Sequence, residues 1–384
     1  MKLILLDRRH NFETGLELAG AAFAVYYKNE LVVDIYGGYA NKDDGAETLW
    51  DQQTMAIFFS ITKAISALGL ALLIDQGKAS YDEYVCKYWP EFAAHGKQNI
   101  TIRQLLNHQA GLAYDEKQIF QTDDVKNPSK MSEKLEQMVP LWVPGTQCGY
   151  HVLTFGFLID QLVRRIDDKH RGIVEYIEEE IIQKYSITDI SIGLQNVADN
   201  RRVAKIYEET AEELAQEEHR NPVALAKFRL CNNEHLKRVY ENWPWITIPD
   251  YNDKEVRRLP MPSNMGIGTA RALAQLHNLI VQGYLLSKDL LDQIRHPLIT
   301  NQMDIINCYP ESKGYGWQHF QQSENRWIFG HSGYGGQNLR IDPDFQLVYV
   351  YLCNGLKAAD GDDVEAFKNL QQKLYECIKM LQQQ

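Results

Sequence analysis

Phe58-Phe59-Ser60-Ile61-Thr62-Lys63-Ala64-Ile65 opens the stretch that decides the fold, and it runs on through Leu68, Leu70, Leu72 and Leu73 to Gln76-Gly77. The pattern predicts a helix over residues 60–76, with Gly77 as its C′ residue. Apolar residues lie on every side of it, so the helix is expected inside a large core rather than laid over one. The i, i+3 spacing puts Ser60 and Lys63 on one face, a turn apart. Ser60 stands in the first turn, where unpaired N–H groups and the positive dipole end stabilise a developing oxyanion. The same dipole and the apolar surround push Lys63 toward the free amine, which can accept the serine proton. Taken alone, a serine with a lysine three residues on equally describes an N-cap and a snorkelling lysine.

Outward from this helix, both ends of the chain read as sheet. Residues 21–27 are small or aromatic, residues 31–36 are β-branched and apolar, and Lys28-Asn29 lies between them. That is a hairpin, ended by Gly37-Gly38. Near the other terminus, residues 327–329, 338–341 and 347–352 are short β-rich runs separated by Gly and Asp-Pro-Asp turns. The middle is helical: 101–108 capped by Thr101, 153–166, 174–185, an exposed amphipathic stretch over 208–241, and 270–281 begun by Thr269. A last amphipathic helix covers 363–382. The opening hairpin can pair only with strands supplied by the end of the chain. The expected fold is therefore α/β of the α+β kind: an antiparallel sheet of N- and C-terminal strands flanked by helices, with a large inserted helical lobe. The whole chain is expected to be one domain, with 1–58 and 300–384 as sheet lobe and 59–299 as helical lobe.

Two further segments carry chemistry. In Pro144-Gly145-Thr146-Gln147-Cys148-Gly149-Tyr150-His151, a turn presents the Tyr150 phenol just before a helix, where a nearby cation would fit it for proton transfer. In Gly330-His331-Ser332-Gly333-Tyr334-Gly335-Gly336, four glycines in seven residues let a strand edge approach a ligand and offer an N–H to an oxyanion. Gly330-His331-Ser332-Gly333 lacks the spacing of a G-x-S-x-G elbow, so Ser332 is a poor rival nucleophile.

In this order and spacing, the three segments resemble the serine β-lactamase and penicillin-binding-protein superfamily. The likeness is to its class C-like branch, which includes esterases, D-amino-acid peptidases and animal β-lactamase domain-containing proteins. Residues 20–38 resemble the opening hairpin of that family. Leu105-Leu106-Asn107-His108-Gln109-Ala110-Gly111-Leu112 is similar to its LLxHxSGL segment, with Ala110 for the usual serine, and Ile267-Gly268-Thr269-Ala270-Arg271-Ala272-Leu273-Ala274 resembles a later helix start. The resemblance implies a β-lactamase/transpeptidase-like fold and a serine hydrolase working through an acyl-enzyme. Ser60 would be nucleophile, Lys63 its activating partner and Tyr150 the proton shuttle. His331, Ser332 and Gly333 would stand at the K-T-G position beside the substrate. The N–H groups of Ser60 and Tyr334 would hold the oxyanion.

Two departures redirect the substrate. Y-x-N becomes Tyr150-His151-Val152, which leaves His151 beside the substrate and no asparagine to hold an amide. The lysine of K-T-G becomes His331, only partly charged at pH 7. Both weaken recognition of a carboxylate-bearing lactam or D-Ala-D-Ala peptide, and both fit esters or small amides better. The alternatives are a D-aminopeptidase or β-lactamase, and a catalytically weak or inactive scaffold of this fold that self-assembles.

Composition bounds the partners. The chain has 384 residues, 45% apolar and 24% charged, with a formal net charge of -11. That acidity repels phosphate backbones and anionic lipid, so nucleic acid and membrane surfaces are poor candidates, and the partner is a small acyl substrate, with homo-oligomers open. The run Leu3-Ile4-Leu5-Leu6 is too short for a signal-peptide core, no stretch approaches a membrane span, and a cytoplasmic location is expected. Six widely spaced cysteines include no CxxC, and the eleven histidines form no supported ligand pair, so neither metal nor other cofactor is expected.

Overall fold

A computed structural model describes residues 10–196 and 198–383; the apolar run at residues 3–6 lies outside them. Among the described residues, twelve strands form two sheets. They are β1 (Gly20–Tyr27), β2 (Glu30–Asn41), β3 (Thr48–Leu49), β4 (Ala56–Ile57), β5 (Ile190–Ile192), β6 (Gly266–Gly268), β7 (Ile299–Met303), β8 (Pro310–Gly314), β9 (Trp317–Ser323), β10 (Arg326–Gly333), β11 (Gln337–Asp342) and β12 (Leu347–Cys353). The large sheet has nine strands in the order β3-β2-β1-β12-β11-β10-β9-β8-β7, and its pairs are antiparallel. The first strand thus lies beside the last, with Ala24 opposite Val350.

The burial of β12 explains its composition. Val348, Val350 and Leu352 enter one core, while Leu347, Tyr349, Tyr351 and Cys353 enter another on the opposite face. A strand covered on both sides needs no polar residues, and this one has none. Helix α1 (Thr62–Asp75), helix α2 (Thr154–Ile166) and helix α3 (Ala270–Val281) belong to the first core. Helix α4 (Glu365–Gln382) covers the other face with Phe367, Leu370, Leu374 and Ile378. Each such side chain contributes about 1.5–3 kcal/mol by leaving water.

Lys28 and Asn29 adopt φ of 50° and 69°, the two-residue left-handed turn whose twist suits a tight hairpin. Gly37-Gly38 does not end this hairpin as expected. Strand β2 continues to Asn41, with Gly38 opposite Gly20 at φ 76°. The helix over 60–76 begins as a 3-10 turn, Phe59–Ile61, before α1 takes over, and Gly77 has φ 74°. The exposed stretch over 208–241 resolves into three short helices, Ala211–Arg220, Pro222–Cys231 and Glu234–Asn242. Strands β7 to β9 lie in a region without a strand expectation, because polar residues interrupt any apolar alternation in them. The six cysteines are free, and no described helix is long and apolar enough to cross a membrane.

The small sheet places the site. Its central strand β6 pairs with β4 on one side and β5 on the other. Just after β4, the Phe58 N–H donates to Gly266 O at 2.7 Å. The segment that delivers Ser60 is thereby tied to a strand more than 200 residues away.

Candidate active site

Ser60 follows Phe59, whose φ of 48° is left-handed. A bulky residue in that region carries strain of about 1–3 kcal/mol, so its surroundings must hold it there. The Phe59 ring is buried, 4.9 Å from the Tyr251 ring and 5.8 Å from the Tyr334 ring. Thr62 Oγ1 donates to Phe59 O at 2.6 Å and accepts the Gly266 N–H at 2.8 Å, locking the turn to β6. The turn leaves Ser60 half-buried at the N-terminal end of the helical segment, while Lys63 below it is fully buried.

Three oxygens surround the Lys63 amine: Ser60 Oγ at 3.2 Å, Val152 O at 2.8 Å and Ser263 O at 3.1 Å. Carbonyls only accept. A neutral amine therefore spends its two N–H bonds on Val152 and Ser263 and turns its lone pair toward the Ser60 hydroxyl. Burial, then the charge of Lys313, holds this amine well below its ordinary pKa. The Ser263 carbonyl is itself fixed, since its side chain donates to Leu153 O at 2.6 Å and accepts the Gly156 N–H at 2.7 Å.

Tyr150 is buried, and its ring centroid lies 4.7 Å from Lys63 Nζ. Burial pushes its phenol pKa up, and a hydrogen bond with Ser60 pulls the other way. Its backbone N–H donates to Asp304 Oδ1 at 3.0 Å. Asp304, fully buried, also accepts the N–H groups of Ile306 and Asn307 and pairs with Lys313 at 2.5 Å. Lys313 meets Glu311 at 2.8 Å, and its nitrogen lies 5.5 Å from the Tyr150 ring centroid.

Strand β10 comes in beside this group. His331 is buried, with its ring 6.2 Å from that of Tyr150. Burial pushes its pKa down to about 3, so the partial charge expected at pH 7 is replaced by a neutral imidazole. Its Nδ1–H donates to Ser332 O at 2.6 Å, which leaves Nε2 as an acceptor. Gly333 lies against the segment that carries Ser60: a Cβ there would sit 2.2 Å from Phe58 O. Tyr334 follows at the strand end, 40% exposed.

Two expected substrate contacts are placed otherwise. His151 is wholly buried; its Nδ1–H donates to Gly149 O at 2.7 Å and its Nε2 accepts the Leu112 N–H at 2.9 Å. Both ring nitrogens are thus spent on backbone, and its pKa sits at about 4 through burial. The Ser332 hydroxyl donates to Asn338 Oδ1 at 3.1 Å and sits 3.4 Å from Arg340 Nη2. Sequence reasoning also missed groups that shape the site: Asp304, Lys313 and the carbonyls of Val152 and Ser263. His108 was seen only as part of a motif; its Nδ1 accepts the His151 N–H at 3.0 Å and its ring lies 4.8 Å from that of Tyr150. Main-chain carbonyls leave no signal in a sequence.

Comparison with known proteins gives this geometry a setting. The β-lactamase family model matches residues 8–373. The esterase/β-lactamase LipL of Mycobacterium tuberculosis is 27% identical over 354 residues, covering 89% of this chain and 78% of the relative. Among solved structures, a family VIII carboxylesterase superposes with a TM-score of 0.83 at 25% identity, covering 98% of this chain and 97% of the other. A penicillin-binding protein homologue from Caulobacter crescentus gives 0.79 at 28% identity, with 97% of each chain covered.

Proposed function

This chain belongs to the β-lactamase family, and from that premise we propose that it is an esterase-like serine hydrolase that acylates Ser60. One observation carries the reading: the Ser60 hydroxyl shares hydrogen-bonding reach of a buried, proton-poor Lys63 amine and of the Tyr150 phenol. Its relatives named as an esterase/β-lactamase and a carboxylesterase support ester chemistry.

In the proposed reaction, Ser60 Oγ attacks the ester carbonyl carbon as its proton passes to Lys63 Nζ. The carbonyl electron pair moves onto oxygen, held by the N–H groups of Ser60 and Tyr334. Collapse of this intermediate breaks the bond to the alkoxide. That leaving group takes a proton from the Tyr150 hydroxyl, which regains one from the Lys63 ammonium. A water then attacks the acyl carbon and gives its proton to the same pair, and the departing Ser60 oxygen is reprotonated. Tyr150, raised in pKa, suits the donor role, and the free amine suits the base role.

The neutral His331 sets the substrate range. With an uncharged imidazole where the family carries a lysine, a substrate carboxylate gains no charge partner from residue 331, and burying it unpaired is costly. Uncharged esters and small uncharged amides fit; nitrocefin and D-aminoacyl peptides fit poorly.

A fluorophosphonate probe followed by intact mass tests the reading, on wild type and on Ser60→Ala. One adduct on wild type and none on the variant is expected, together with hydrolysis of p-nitrophenyl butyrate that the variant lacks. Equal behaviour of the two proteins would overturn it, and ordered self-polymers of an inert protein would favour a scaffold.

A further inference from the structure

The Tyr150 ring has an amine on each of two strongly contrasting footings. Lys63 Nζ stands 4.7 Å from its centroid and Lys313 Nζ 5.5 Å. Lys63 has carbonyls and a hydroxyl for partners, whereas Lys313 has two carboxylates, Asp304 at 2.5 Å and Glu311 at 2.8 Å. Both lysines are buried. A buried amine with two carboxylates stays an ammonium; one with neutral acceptors does not.

We propose that Lys313 is the fixed cation of this site, a positioning residue on β8 that acts on Lys63 from beside the Tyr150 ring. The inference rests on the Ser60–Lys63 reading above. Among the described residues, the other titratable groups near Lys63 lack a positive charge. His108, His151 and His331 are neutral through burial, and Tyr150 is a protonated phenol. The carboxylates Asp304 and Glu311 attend Lys313, with Cys148 Sγ 3.6 Å from its nitrogen, and Asp360 acts on the phenol from farther off. Burial comes first in holding Lys63 free of its proton, and the charge of Lys313 comes second. Asp304 ties the cation to the phenol's own backbone, since it accepts the Tyr150 N–H.

The size of the effect follows from Coulomb's law. At about 10 Å, the most that the two ring distances allow between the nitrogens, and at an effective dielectric of about 20, two charges shift a proton equilibrium by about one pH unit or more. The sign is fixed as well. A cation repels the proton that Lys63 would bind, so removing it raises the proton affinity of Lys63. The free amine then appears only at higher pH.

The test is the pH profile of kcat/KM for p-nitrophenyl butyrate on the full chain. In Lys313→Met the acidic limb is expected about one pH unit higher, and Lys313→Arg returns it to the wild-type position. Glu311→Gln removes a compensating carboxylate and moves the limb the other way. Should Lys313→Met fail to fold, Lys313→Gln removes the cation while its amide still donates to the two carboxylates, and it shows the same upward limb. A serine-dependent activity whose limb stays put in the folded variants overturns this inference alone. Wild-type activity that survives Ser60→Ala overturns the Ser60 reading first, and this one with it.

Discussion

Gly333 and Phe58 touch backbone to backbone: a methyl group on the glycine would lie 2.2 Å from the phenylalanine carbonyl oxygen. The contact seats the end of β10 beside the turn that carries Ser60. In Gly333→Ala one of the two must move. We expect about 1–3 kcal/mol of lost stability from overpacking. The kcat for p-nitrophenyl butyrate should fall by about tenfold or more, since misplacement of about 1 Å has costs of that order. Thermal melts and steady-state kinetics on the same preparation check both numbers. An alanine variant with wild-type kcat would show that the strand end plays no part.

Thr62 offers a sharper probe of the strained turn. Its hydroxyl serves Phe59 O and the Gly266 N–H together, and Thr62→Val keeps the shape while removing both bonds. The Gly266 N–H loses its hydroxyl partner and Phe59 O keeps only the Thr62 backbone N–H, at a cost of about 1–3 kcal/mol in all. Because Phe59 can then relax from φ 48°, kcat should drop more than KM rises. Urea unfolding gives the first figure and initial rates the second.

How much of this was legible beforehand depends on the reach of each contact. Ser60 and Lys63 lie a turn apart on one helical segment, so spacing alone brings them together. Tyr150 was findable through the Pro-Gly turn and Gly149, which mark a presented side chain. The sheet was readable because β12 is apolar throughout and the opening hairpin had no nearer partner. Lys313 was not readable. Its role depends on the seating of β8 between β9 and β7, with Lys313 opposite Gln318, and the polar residues around it look like loop. His151 shows the converse: standing next to Tyr150 in sequence says nothing of where its ring turns, and the ring turns into the backbone of Gly149 and Leu112.

Lys63→Met separates chemistry from stability. Loss of the base should lower kcat/KM by about 10²–10⁴. Folded Lys63 holds its proton less tightly than the unfolded chain does, so the unfolded state binds more protons below pH 10.5. Wild-type stability should therefore gain from this residue as pH climbs toward 10.5. The methionine variant lacks that gain. Urea midpoints at pH 7 and pH 10 for both proteins measure it, and equal pH slopes would mean that Lys63 stays charged in the fold.

Acid sensitivity should trace to buried imidazoles. Burial puts the pKa of His277 at about 4, and its Nε2 has no partner among the described residues. The unfolded chain binds this proton near pH 6.5, so stability is present above that value and is lost as pH falls toward 4. The loss is on the order of 3 kcal/mol for one such group. His277→Leu should remove this share, lessen the fall of the urea midpoint between pH 6.5 and 4 while His108, His151 and His331 keep theirs, and raise stability at pH 7.5 by about 1 kcal/mol by deleting an unpaired nitrogen.

The neighbourhood of β1 and β12 also bears on how the chain is made. Tyr27 pairs with Leu347, so the first strand leaves the ribosome with its partner some 320 residues away. At 5–20 residues per second it waits on the order of tens of seconds, with an unpaired apolar edge exposed in the nascent chain. Truncation anywhere before residue 347 leaves that edge without a mate, and such fragments should be captured by chaperones or cleared rather than accumulate as smaller folded proteins.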